Sequence, residues 1–173
     1  MTVTDLSSTE YGEFYSNYIQ LVPPTISLRT ALDDSGALLI DYLSNVPDER
    51  VDYAYAPGKW TIKQSLQHLI DSERVFAYRI LRLGRRDATP LAGFEQDAYV
   101  LQANLSNRPF ERMIEEFRGI RKSTIALVSG LSAEDLQFSG MVSGHSMSCR
   151  AMAFIICGHT YHHDLLYRER YAL

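Results

Sequence analysis

With 173 residues, 46% of them apolar and 22% charged, the chain has the composition of one globular domain large enough to bury a core. Its net charge of −4 provides no basic field for a nucleic acid, and no apolar run approaches the length of a membrane span. Neither nucleic acid nor membrane is therefore expected as a partner.

The start, "MTVTDLSSTEYGEFYSNY", has no basic opening or apolar stretch and so does not read as a secretory signal. Residues 1–20 are an N-terminal extension of a single domain covering 1–173. The first long helix opens after Pro23 and Pro24, carries Leu28, Leu32, Leu38, Leu39 and Leu43, and stops at "SNVPDE". The second runs from Trp60, with Thr61 as a cap, to Gly84. Its seam is Ile62, Leu66, Leu69, Glu73, Phe76, Ile80 and Leu83, in steps of three and four. At its end, "RILRLGRR" (Arg79 to Arg86) reads as a solvated terminus whose charges complement the helix dipole, with anion binding as the lesser alternative. About twenty-five residues then separate it from the third helix, too many for a hairpin between antiparallel neighbours, with a short helix expected from Phe94 to Leu105. The third helix starts at Pro109 and ends at Gly130. The following "LSAEDLQFSGMVSGHSMS" reads as a polar, glycine-rich loop with one helical turn at "SAEDL" and no strand of useful length. The fourth helix begins around Ser148 and reaches almost to the last residue. It carries both cysteines, Cys149 and Cys157, about 12 Å apart along its axis and too far for a disulfide. Both read as small buried residues of a reducing compartment, hence a cytoplasmic protein. The fold class is all-α: a four-helix bundle with long crossover connections.

Three of the five histidines crowd into "GHTYHH" on the fourth helix. On a helical wheel His159 and His163 share one face with Met152, Ile155, Ile156, Leu166 and Tyr167, and His162 sits at its edge. Two imidazoles one turn apart on an apolar seam each need a polar partner, and one cation would satisfy both. Hydrogen-bonded core histidines are the competing reading. A third ligand could be His68, beside the apolar face of the second helix with Ser72 and Arg79, whereas His145 lies in the polar loop and reads as exposed. Three histidines would leave a position for water, as in a catalytic metal site. Thr160 follows the first histidine of the pair where a zincin needs Glu. No nucleophile elbow or phosphate loop is present. Glu73 interrupts the seam of the second helix and needs a cation from another helix. It reads as a buried ion pair, or alternatively as a group orienting a histidine or accepting a proton. Trp60 reads as a core anchor.

"YAPGKWTIKQSLQHLIDSERVFAYR" together with "SGHSMSCRAMAFIICGHTYHHDLLYRERY" resembles the DinB-like superfamily of bacterial four-helix-bundle metalloproteins, over Tyr18 to Tyr171. The family name refers to DNA-damage induction and implies no nucleic-acid binding. The resemblance implies a metal triad at His68, His159 and His163, with His162 outside it. It further implies one divalent ion, zinc or nickel, and homodimeric assembly. Relatives that use a low-molecular-weight thiol make activation of such a thiol for transfer to a small electrophile the leading functional expectation. A hydrolase whose metal-bound hydroxide attacks a small-molecule substrate, with Glu73 as proton acceptor, is the second. A non-enzymatic, stress-related metal-binding module is the third.

Overall fold

The computed structural model describes residues 1–171. After short turns comes α1 (Ser16–Gln20), followed by α2 (Leu28–Ser44), α3 (Ile62–Gly84), α4 (Gln96–Gln102), α5 (Phe110–Ser129), α6 (Ala133–Gln137), strands β1 (Ser139–Val142) and β2 (His145–Ser148), and α7 (Cys149–Arg170). The long helices α2, α3, α5 and α7 form a four-helix bundle. Their ends follow from local chemistry. Thr61 and Gln64 cap α3 reciprocally, each side chain accepting from the other's backbone N–H, and Ser27 and Ser148 cap α2 and α7.

The pairing of side chains along the helices fixes the topology. Helix α3 runs antiparallel to α7, since Ser65 meets His163, His68 meets His159, and the Cys149 thiol reaches the Ile80 carbonyl. It runs parallel to α5, because Gln67 meets Arg108 just before α5 while Arg74 meets Glu116 further along it, the same order on both. Helix α2 is parallel to α7, with Tyr42 stacked on Tyr167 at 5.4 Å, and antiparallel to α5, with Arg29 on Ser129. The order is thus up-down-down-up. Because α3 and α5 are neighbours pointing the same way, residues 85–109 must return along the whole bundle. A 23-residue helix is about 34 Å long, which accounts for the length of that connection.

Two readings of the sequence need correction. The segment before α7 is not a plain loop: β1 and β2 form an antiparallel hairpin closed by Ser143 and Gly144, both at positive φ (52° and 83°), as a two-residue primed turn requires. Four-residue strands are too short for their alternation to register. Leu91, in the long crossover, pairs with Val142 and fastens that connection to the hairpin. The basic cluster is likewise divided. Arg82 and Arg86 pair with Asp87, Glu134 and Asp135 near the surface, as a solvated helix end should, but Arg79 is only 2% exposed.

At the centre of the bundle the Arg121 guanidinium uses all five of its N–H donors. Nε and Nη2 donate to the two Glu73 oxygens at 2.8 Å each, Nη1 to the Leu32 carbonyl and Ser35 Oγ, and Nη2 also to Thr160 Oγ1. One side chain so joins α2, α3, α5 and α7. A Cβ at Gly36 would stand 2.9 Å from Arg121 Nη1, so only glycine leaves room for it there. The N-terminal extension docks just as closely. A Cβ at Gly158 would lie 2.0 Å from the Tyr18 carbonyl oxygen, and Glu10 accepts from Arg150 and Ser148.

Two outcomes follow. Arg121→Met leaves the buried Glu73 carboxylate unpaired and should cost about 3–5 kcal/mol in urea unfolding, with Glu73→Leu/Arg121→Met recovering much of it; a loss below about 1 kcal/mol would show that the network is not structural. Gly158→Ala should raise hydrogen exchange across residues 12–22 and cost about 1–3 kcal/mol, while helices α3 and α5 stay protected.

Candidate metal centre

The antiparallel contact of α3 with α7 brings His68, His159 and His163 together. One candidate ligand atom from each lies within 4.8 Å of the other two, and all three residues are buried. His68 Nε2 stands 3.0 Å from His159 Nε2. Two nitrogens bound tetrahedrally to a cation at 2.0–2.1 Å would be about 3.3 Å apart, so that pair already stands near the spacing one divalent ion needs, with the third ligand close by. Serines hold two of the rings from behind: Ser72 Oγ lies 3.3 Å from His68 Nδ1, and Ser65 Oγ 3.1 Å from His163 Nδ1. A hydroxyl accepting from each Nδ1–H leaves the Nε2 lone pair free for a metal.

Electrostatics favours the same state. Burial, with a smaller contribution from His162, lowers His68 to about 4. Burial and mutual repulsion put His159 and His163 well below the ordinary histidine value. All three imidazoles are therefore neutral at pH 7, as ligands must be. The chain's thiols are not alternatives, since burial pushes Cys149 and Cys157 up to about 12.

Around the cluster stand aromatic rings: Trp60 at 4.7 Å from His68, Tyr18 at 5.2 Å from His159 and Phe76 at 5.9 Å from it. Two clefts meet here. One of about 540 Å³ reaches His159 and Ser72; the other, about 360 Å³, reaches His68, His163 and Ser65. Tyr18, Gln96 and Asp97 line both, so α1 and the start of α4 form the partition between them. The histidine centre is buried yet approachable from two sides.

The remaining residues singled out from the sequence fall elsewhere. Glu73 lines neither cleft, and both its oxygens accept from Arg121. The arginine in turn reaches Thr160, the residue after His159. His162 is exposed at the second cleft, beside His163 and Tyr18. His145 is exposed and packs over Gly12, away from the cluster. Trp60 is a half-buried cleft wall, not a core anchor. Sequence reasoning missed Tyr18, Gln96 and Asp97 as site residues. No spacing could reveal them, because the N-terminal extension carries in Tyr18 and the long crossover carries in Gln96 and Asp97.

The family model for the DinB superfamily matches residues 31–166, and the chain belongs to that superfamily. Two proteins of Oceanobacillus iheyensis, each named "putative metal-dependent hydrolase", are 27% identical to it. One aligns over 70% of both chains, the other over 76% of this chain and 77% of its own. Among solved structures, YfiT of Bacillus subtilis superposes with a TM-score of 0.72 at 18% identity, covering 84% of this chain and 90% of that one; it is described as "a probable metal-dependent hydrolase with an unusual four-helix bundle topology". That likeness shows the same fold. The family and the three-histidine geometry together fit a metal-dependent protein.

Chelator-treated protein should lose stability on mild acidification. The folded imidazoles hold their protons more weakly than the unfolded chain's, whose histidines titrate near 6.5, so the unfolded state takes up more protons as pH falls. His68 alone accounts for roughly 3 kcal/mol, lost between pH 6.5 and about 4. Urea unfolding of wild type and His68→Ala at pH 7, 6 and 5 checks this: the variant should show the shallower pH dependence, and equal slopes would refute the assignment.

Proposed function

We propose that the chain is a metal-dependent hydrolase of a small molecule, with His68, His159 and His163 holding one divalent cation, zinc or nickel. The convergence of three neutral imidazoles, two of them oriented by serines, at the junction of two clefts carries this reading. The names of the two Oceanobacillus relatives support it. When bound, such an ion polarises a carbonyl and makes water a nucleophile at neutral pH. Imidazole ligands suit both zinc and nickel.

The chain's own residues then divide the work. Ser65 and Ser72 hold the ligand rings in one tautomer. Trp60, Tyr18 and Phe76 exclude bulk water from the face where the substrate lies, which strengthens each electrostatic contact there. A proton from the attacking water needs an acceptor, and Asp97, the acidic residue lining both clefts, is better placed for that role than Glu73. Glu73 serves as a positioning residue, holding Arg121 and, through Thr160, the turn of α7 that carries His159.

Activation of a low-molecular-weight thiol is the second reading, and the inertness of the two buried cysteines means the thiol would come from outside. It would use the same three ligands, with the thiol's sulfur at the metal, and the two readings part in their substrates.

The expected results are specific. Tag-free protein should carry about one metal per chain by elemental mass spectrometry, and His68→Ala and His159→Ala should lose it. In the metal-loaded enzyme Asp97→Asn should lower kcat by about 10²-fold or more with metal retained. Turnover of esters, lactones or amides without added thiol supports hydrolysis; turnover only with a thiol and an electrophile would replace it by the second reading. A protein that takes up neither zinc nor nickel would end both.

A further inference from the structure

We propose that the larger cleft is an oxyanion site built on Arg79, so that the molecule bound there carries a carboxylate or phosphate at one end. The anion site stands on its own geometry. That the same molecule is the one processed at the histidines rests on the reading given above.

Arg79 lies eleven residues after His68 on α3, which returns it to the same face of the helix, three turns further along. Nη2 donates both its hydrogens, to the Ala92 carbonyl at 2.8 Å and to Ser143 Oγ at 3.0 Å. Nη1 is buried and has no hydrogen-bond partner, and no carboxylate forms an ion pair with Arg79 among the described residues. The other deeply buried guanidinium, Arg121, has Glu73 as counter-charge and every donor filled. A buried cation with an idle donor is costly unless an anion arrives to meet it. A purely structural task, tying the long crossover to the hairpin, explains the two Nη2 bonds and leaves Nη1 without a purpose.

The surroundings define the ligand. The guanidinium lies 5.8 Å from the Phe76 ring and 5.6 Å from that of Phe94, two apolar walls that keep water from an ion pair formed there. Phe76 also lies 5.9 Å from His159, so the cation and the histidine centre both border one phenyl ring in one cleft. Glu95 and Asp97 line the same cleft but are exposed at its rim, where they disfavour a highly charged ligand. The fitting occupant is a small molecule with an apolar body and one terminal anionic group, anchored by Arg79 with its other end towards His159. A cleft of about 540 Å³ suits such a molecule.

Calorimetric titration with N-benzoylglycine, its neutral amide N-benzoylglycinamide, and phenyl phosphate tests this in zinc-loaded and chelator-stripped protein. Wild type should bind N-benzoylglycine at least tenfold more tightly than the amide in both metal states. Arg79→Met should erase that preference, Arg79→Lys should keep part of it, and His68→Ala should leave it intact. Tighter binding of phenyl phosphate than of N-benzoylglycine would assign the site to phosphates, the reverse to carboxylates. Should Arg79→Met fold poorly, the rise in wild-type Tm with the acid against the amide gives the same comparison. Equal binding of acid and amide, no binding of either anion, or an unchanged preference in Arg79→Met would overturn the anion site. Anion binding without any hydrolytic turnover would instead count against the catalytic reading alone.

Discussion

The bundle is organised around a charge that it could not hold in any other way. Arg121 is almost wholly taken out of water, and the cost of doing so is offset only because each of its five donors finds an acceptor, two of them on a carboxylate. Those acceptors come from three other helices, so the condition is met in one packing register and in no neighbouring one. Apolar side chains alone tolerate small slips between helices. A fully subscribed guanidinium does not. Because Glu73 follows the turn that carries His68 and Thr160 follows His159, the register set at Arg121 also sets the approach of the histidines.

The second constraint is topological. Placing α3 and α5 side by side and parallel obliges the chain to travel back along the bundle, and the returning segment cannot be idle. It carries α4 across the mouth of the histidine centre, pairs Leu91 with the hairpin, and supplies Ala92 and Phe94 to Arg79. The bundle supplies the rigid imidazoles, while the connection supplies much of the cleft wall. Position of the ligand atoms and shape of the surrounding space are thus delegated to different parts of the chain.

How much of this was legible in the sequence depends on the range of the interaction. Helix boundaries were, because the cap at Thr61, the proline at 109 and the apolar period are local. The i, i+4 pair His159 and His163 was, for the same reason; His68 came mainly from the resemblance, since its place beside the apolar face did not require it to point inward. The need of Glu73 for a cation on another helix was also readable, although its identity as Arg121 was not: nothing in the spacing of α3 and α5 says which residues meet. The four-residue strands fell below the length at which alternation can be told from chance. Arg79 was misread because charge in a helical end segment is usually solvated, and only the fold reveals that the crossover closes over it. Trp60 was misread because a large aromatic at a helix start packs equally well in a core or against a cleft.

One further feature is the docking of α1 on α7, where the bare backbone of Gly158 lets the Tyr18 carbonyl approach to contact distance. It places Tyr18 at both clefts, although residue 18 lies outside the segment, 31–166, that matches the superfamily. Tyr15 and Tyr18 therefore bring to the cleft wall a part of the chain other than the helices that hold the histidines. The shape of the space beside the histidines thus depends on how closely α1 seats on α7, while the approach of the imidazoles is set by the pairing of α3 with α7.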